Sequence, residues 1–242
     1  MNNLENKSAF ITGGTKGIGF GIAEALLKQG VNVTITGRSK EGVDDAVRQL
    51  NANGNDQSRA IGLAADVRSY EDQAHAVQHA KKEFGSVDII IANAGVGHFG
   101  KVQDISIEQW KETIDINLTG TFYTLKASVD ELTRNKGYYI TISSLAGTNF
   151  FSGGAAYNAS KFGVTGFTQA AMLDLRDAGI KVTTIMPGSV STHFNGNDPD
   201  EKGAWKIQSE DIGQMVVDLL KMNPRTLPSK IEVRPTMPPN AK

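Results

Sequence analysis

The sequence predicts an α/β protein in which a seven-stranded parallel sheet is covered by helices on both faces. Three observations carry that expectation. Short runs rich in Val, Ile and Thr recur along the chain, and each is followed by a longer stretch with apolar residues at helical spacing. Several of these runs are apolar on both faces, as buried parallel strands must be. A glycine-rich turn joins the first run to the first helical stretch, and strand, glycine turn and helix in that order open a sheet of this kind.

The elements follow in order. Residues 9–12 form the first strand candidate, and the glycine turn leads from it into a helix over 17–29. Gly30 then stands where a helix end favours a left-handed residue. The second strand, 31–36, precedes a helix over 42–53, with Gly54 in the same terminal role. The third strand, 60–65, leads to a helix over 70–84, which Ser69 and Asp72 open as an acidic variant of the capping box. The fourth, 87–92, precedes one long helix over 107–134, opened by the capping box of Ser106 and Gln109. The fifth, 138–143, leads to a helix over 156–177 that ends near Gly179; the sixth, 181–186, leads to a helix over 210–222 and a last strand over 231–234. The Pro-containing tail, 235–242, reads as an extended end. With no repeat, low-complexity tract or interior Pro/Ser linker, one domain over 1–242 is expected.

Composition narrows the function classes. Lys and Arg number 25 against 26 Asp and Glu, a net charge of −1, so nucleic acid is not the expected partner. The absence of cysteine removes a disulfide scaffold and a thiolate metal site. Residues 1–7 are polar and unlike a signal peptide, and no apolar run approaches the ~20 residues that span a bilayer. A cytoplasmic protein without membrane association is expected. The 26 glycines, about 11% of the chain against a usual ~7%, make glycine positions the informative ones.

Thr12, Gly13, Gly14, Thr15, Lys16, Gly17, Ile18 and Gly19 form that first turn with GxxxGxG spacing. Glycine lets the backbone turn tightly and approach a pyrophosphate, whose charge meets the free N–H groups of the helix N-terminus. At this position the turn points to a dinucleotide. Such a turn alone is a weak sign, since glycine-rich strand-to-helix turns also occur without ligand.

With these residues the chain resembles the short-chain dehydrogenase/reductase family, whose short branch carries TGxxxGxG near its start. Further matches stand in the family's order: Asp66-Val67 after the third strand, Asn93-Ala94-Gly95 after the fourth, Asn117 in the long helix, Ser144 at the fifth strand's end, Tyr157 and Lys161 as YxxxK, and Pro187, Gly188, Val190 and Thr192 after the sixth. The resemblance covers residues 7–234. Ala92 departs from it, since many members carry a first Asn there. The resemblance implies a Rossmann-type doubly wound fold, with Asp66 and Val67 at adenine and residues 189–209 as the substrate loop. It also implies a homodimer or homotetramer paired through the helices 107–134 and 156–177.

Tyr157 and Lys161, four residues apart, share one helix face. A phenol titrates near pH ~10 and needs a nearby positive charge to favour its phenolate near neutrality. Lys161 supplies one. As the resemblance implies, Tyr157 donates the proton to a carbonyl oxygen, Ser144 holds that oxygen, and Asn117 binds a water linking Lys161 to solvent. Ser143 competes for the serine role; Ser144 stands thirteen positions before Tyr157, as the family's serine does. A lone Tyr/Lys pair is more often a packed helix face with a snorkelling lysine.

The end of the second strand reads Thr36-Gly37-Arg38-Ser39, with no carboxylate to bind a free ribose 2′-hydroxyl. Arg38 offers a fork to a 2′-phosphate, and Lys16 is a second cation, at a position that in the family often accompanies NADP use. NADP(H) is therefore expected over NAD(H). His98, His193, Phe150, Phe151 and Phe194 border the expected cleft as candidate substrate contacts, while His75 and His79 read as an outer helix face. The expected activity is reduction of a ketone or aldehyde with NADPH, including 3-oxoacyl thioesters among its forms. The alternative is a cofactor-binding regulatory or structural protein without turnover.

Overall fold

A computed structural model describes residues 3–53 and 58–237. Seven parallel strands form one sheet in the order β3-β2-β1-β4-β5-β6-β7: β1 Ser8–Thr12, β2 Asn32–Gly37, β3 Ala60–Ala64, β4 Ile89–Ala92, β5 Tyr138–Ile142, β6 Lys181–Pro187 and β7 Lys230–Val233. The chain winds outward from β1 to β3, then returns to β4 on the other side of β1. The loops leaving β1 and β4 therefore diverge, and a crevice opens beyond the strands' carboxyl ends.

Alternation along β1 shows how the sheet is sandwiched. Ala9 and Ile11 pack with Ile22, Ala23 and Leu26 of α1 (Gly17–Leu27), Ala46 and Leu50 of α2 (Lys40–Asn53), and Ile212 and Val216 of α7 (Ser209–Lys221). Phe10 points the other way, towards Ala76, Val77 and Ala80 of α3 (Tyr70–Phe84), Leu125 and Leu132 of α5 (Gly120–Asn135), and Ala171 of α6 (Ala155–Leu175). The period-two side-chain pattern thus builds one core on each face.

Local punctuation matches the chemistry of the caps. The Ser69 hydroxyl accepts the Asp72 N–H at 3.1 Å, and Ser106 and Gln109 close a complete capping box on α4 (Ile107–Ile114). Gly30 and Gly179 are left-handed, at φ +76° and +78°. Gly54 lies outside the described residues, as does the tail beyond 237.

One expectation needs correction. The segment 107–134 is not a continuous α-helix: between α4 and α5 lies a π-helical turn, Asp115–Thr119. Its wider ring inserts an extra residue and changes the direction of the following side chains. Asn117 sits inside it, fully buried.

Candidate active site

The β1–α1 turn is built by steric necessity. A Cβ on Gly19 would lie 2.5 Å from both the Gly13 carbonyl oxygen and Asn93 Nδ2, so only glycine lets α1 start this close to the strand ends. Gly17 adopts φ +59°, a left-handed backbone that disfavours side chains. Asn93 holds the turn from the opposite strand: its Nδ2 donates to the Thr12 and Gly13 carbonyls at 2.9 and 3.0 Å, while the Asn93 and Ala94 N–H groups donate to Thr12 Oγ1. No side chain caps α1. The first-turn N–H groups at Gly17 and Ile18 therefore lack helical partners where the turn lines the cleft. A turn without room for Cβ atoms, ending on uncapped N–H groups, fits a dinucleotide pyrophosphate.

That cleft has a volume of about 610 Å³ and gathers most residues expected from the sequence. Gly13, Thr15, Lys16, Gly17 and Ile18 form its floor, with Arg38, Asp66 and Val67 at one end. Asn93, Ala94 and Gly95 lie in the middle, and Ser144, Tyr157, Lys161, Pro187, Gly188, Val190 and Thr192 complete the walls. Three expected residues stand outside this lining. Gly19 lies behind the turn it permits, and Asn117 lies behind the loop after β4. Ser39, expected at the cofactor, turns its hydroxyl to the Gly42 N–H at 3.2 Å in the first turn of α2. At the same end, Arg68 hydrogen-bonds the Asp66 carboxylate through Nε and Nη2 and holds it below the usual carboxylate range.

At the other end, α6 carries Tyr157 and Lys161 on one face. Lys161 Nζ donates to the Ile142 carbonyl at 3.0 Å and lies 5.7 Å from the Tyr157 ring centre. Burial lowers the Lys161 pKa to about 8. The Tyr157 phenol moves up instead, because burial outweighs the opposing hydrogen bond with the Ser144 side chain. The phenolate-favouring influence expected of Lys161 is therefore not the dominant one; desolvation, which penalises the anion, is larger.

The two adjacent serines diverge. Ser143 Oγ lies 3.2 Å from the Lys161 carbonyl and 3.0 Å from Thr165 Oγ1, so it ties β5 to α6. Ser144 is the one that reaches Tyr157. Behind them, Asn117 clamps the loop after β4: its Oδ1 accepts the Val96 N–H at 2.8 Å, and its Nδ2 donates to the Val96 carbonyl and to Ser160 Oγ, both at 2.9 Å. The π turn supplies the direction this clamp needs.

Three features escape the sequence reading. Phe99 packs edge-on against Tyr157, with ring centres 5.3 Å apart. Glu112 of α4 crosses the cleft mouth, with Oε2 2.8 Å from His98 Nε2 and Oε1 3.9 Å from Arg38 Nη1. Gly147 lets the turn after Ser144 touch α6, since a Cβ there would lie 2.7 Å from the Lys161 carbonyl. Only Gly147, a glycine just past a strand end, left a signal in the sequence. Among the candidate substrate contacts, Phe194 packs 5.8 Å from Tyr157, Phe151 packs on Phe99, and Phe150 points to solvent with 85% exposure. The loop 189–209 is pinned at its base by a bridge between Val190 and Ile207.

Comparison with known proteins adds a family to this geometry. The short chain dehydrogenase profile matches residues 7–203. The chain is 32% identical over 236 residues to an uncharacterized oxidoreductase of Staphylococcus saprophyticus, covering 97% of this chain and 100% of that one. It is 36% identical over 194 residues to trans-4-hydroxycyclohexanecarboxylate dehydrogenase of Sinomonas cyclohexanicum, covering 79% and 75%. Among solved structures, an alcohol dehydrogenase of the archaeon Thermococcus sibiricus, complexed with 5-hydroxy-NADP, superimposes with a TM-score of 0.88 at 27% identity, covering 95% and 97%.

Proposed function

The chain belongs to the short-chain dehydrogenase family, an NAD(P)-dependent oxidoreductase acting on alcohol or carbonyl groups, and from that premise we propose that it is an NADPH-dependent carbonyl reductase. The observation that carries this reading is the convergence of Tyr157, Ser144 and Lys161 on one wall of a cleft whose far end is the glycine turn. When bound, the nicotinamide supplies the hydride. Tyr157, held neutral by burial, already carries the proton that a carbonyl oxygen needs during reduction. Ser144 donates a hydrogen bond to the same oxygen and steadies its growing charge. Lys161, anchored by the Ile142 carbonyl, places a cation beneath the phenol, and Asn117 keeps the loop at Val96 in register with both.

The preference for NADPH rests on Arg38 and Lys16, both exposed at the adenosine end, with no carboxylate on β2 to receive a free 2′-hydroxyl. One domain carries both sites, and the cytoplasm is its proposed compartment. A homodimer or homotetramer would cover Phe122, Phe162 and Leu173, which α5 and α6 expose, and sedimentation at micromolar concentration tests it. The activity is tested by following NADPH and NADH oxidation against ketones, aldehydes and 3-oxoacyl thioesters. Turnover with NADPH favoured supports the reading; cofactor binding with no turnover of any carbonyl defeats it.

A further inference from the structure

Each of three successive strand-end loops delivers one phenylalanine to the same place. Phe99 comes from the loop after β4, Phe151 from the loop after β5 and Phe194 from the loop after β6. Their ring centres lie 6.0 Å (Phe99–Phe151) and 6.5 Å (Phe99–Phe194) apart, and Tyr157 closes the group at 5.3 Å from Phe99 and 5.8 Å from Phe194. Phe194 lines the cleft itself, and Phe99 and Phe151 stand beside it at its mouth; all three are more than a third exposed, so the apolar surface they share is open to a ligand.

The surrounding backbone makes room for these rings. A Cβ on Gly97 would lie 2.8 Å from the ring atoms of both Phe99 and Phe194, and one on Gly154 would lie 2.7 Å from the Phe151 ring. The Gly100 N–H donates to the Gly153 carbonyl at 2.9 Å, which ties the first loop to the second. Phe194 stands just before left-handed backbone at Asn195 and Gly196, φ +58° and +74°.

Charge is distributed in the same sense. The lysines and arginine lining the cleft are Lys16 and Arg38, at the dinucleotide end, and Lys161, beneath Tyr157. At the aromatic end, His98 faces Glu112 and His193 lies 3.8 Å from Asp198. Apart from Lys161 beneath Tyr157, an anionic substituent at the aromatic end would meet no lysine or arginine among the described residues that line this cleft, whereas a planar apolar ring meets the edges and faces of the phenylalanines.

We propose that the substrate is a ketone bearing an aryl group next to its carbonyl, with Phe99, Phe151 and Phe194 as the residues that select it. This rests on the carbonyl reductase reading above. With acetophenone as the probe, the hydride of NADPH bonds to the carbonyl carbon, the C=O π pair takes the Tyr157 proton at oxygen, and Tyr157 regains a proton from solvent. The products are 1-phenylethanol and NADP⁺.

The test compares kcat/KM for acetophenone with that for 2-octanone, an open-chain ketone of equal carbon number, and for the anion 4-oxopentanoate. Wild type should favour acetophenone at least tenfold over either. Phe99→Ala and Phe194→Ala should lower kcat/KM for acetophenone at least tenfold more than for 2-octanone, and Phe99→Tyr should restore most of the difference. A wild-type ratio near one, or a ratio that the variants leave unchanged, overturns the proposal. Calorimetric titration of 1-phenylethanol into the protein with NADP⁺ reads the same surface without turnover. If no carbonyl is reduced but 1-phenylethanol binds wild type and binds folded Phe99→Ala at least tenfold more weakly, the aryl site stands and the reductase reading falls. If 1-phenylethanol fails to bind wild type, or binds Phe99→Ala equally well, the aryl site falls.

Discussion

At the glycine-turn end of the cleft the wall is mostly backbone: a Cβ on Gly13 would crowd Ala94 and Asn93, one on Gly19 would crowd Asn93 and the Gly13 carbonyl, and Gly17 is left-handed. At the Tyr157 end it is side chains on loops: Phe194 lines the cleft and packs on Phe99, Phe99 packs on Phe151, and all three leave much of their surface open. The difference teaches how each end should respond to change. A backbone cradle cannot yield, so substitution there should cost folding and cofactor together. An aromatic wall can shift, so substitution there should alter which carbonyl is accepted while the fold persists.

The sharpest probe lies between the two ends. Tyr157→Phe keeps the ring and removes the proton, so kcat/KM for carbonyl reduction should fall by about 10²–10⁴ while NADPH affinity, read by fluorescence titration, stays within threefold. Retention of activity would detach the phenol from the chemistry. The direction of the Tyr157 shift gives a related expectation. With its pKa above the ordinary value of 10.0, the phenol is protonated at neutral pH, as reduction requires. Alcohol oxidation needs the phenolate, whose fraction grows about tenfold per pH unit below the pKa. Oxidation measured from pH 6 to 9 should therefore accelerate with pH, and reduction should show no such rise.

A paired glycine experiment tests the contrast directly. In Gly19→Ala the new methyl meets the Gly13 carbonyl, and overpacking of this kind costs about 1–3 kcal/mol. Both Tm and NADPH affinity should drop. In Gly97→Ala the methyl meets the far ends of Phe99 and Phe194, which can swing aside; Tm should hardly move while KM for the carbonyl changes severalfold. Equal losses of Tm in the two variants would abolish the distinction.

Charge at the adenosine end should give the next effect. Arg38→Ala removes a charge-assisted partner for a 2′-phosphate, a loss of about 1.5–3 kcal/mol, so kcat/KM with NADPH should fall about tenfold or more while NADH is unaffected. The smallest change is expected from Glu112→Gln. Its carboxylate stands 3.9 Å from the exposed Arg38 guanidinium and would compete with a phosphate, but solvent limits such a pair to at most about 1 kcal/mol. KM for NADPH should fall severalfold or less, and a rise would show that Glu112 helps the cofactor instead.

How much of this was legible follows from the range of each interaction. The sheet, the glycine turn and the caps at Ser69 and Ser106 are read within a few residues, because dihedral preference and apolar period act locally. The pairing of Tyr157 with Lys161 is likewise a property of one helix. The π turn at Asn117 carried no local mark, and the group that Asn117 binds, the Val96 backbone, lies on another loop. The sequence distinguished Ser144 from Ser143 only by its spacing to Tyr157; where β5 meets α6, Ser143 turns to Lys161 and Thr165 while Ser144 reaches Tyr157. The Ser39 hydroxyl accepts the Gly42 N–H at the start of α2, a contact within its own turn that the sequence reading does not weigh.

Sequence alone therefore determined the class of fold, the glycine turn that opens it and the pairing of Tyr157 with Lys161 on one helix face, since each depends on spacing along one element or one turn. Tertiary structure alone decided that Glu112 spans Arg38 and His98, that burial lifts the Tyr157 pKa, and that three separate loops bring Phe99, Phe151 and Phe194 together beside Tyr157. Those outcomes depend on distances between residues far apart in the chain and on the water excluded when the loops meet, and neither is written in any local run of residues.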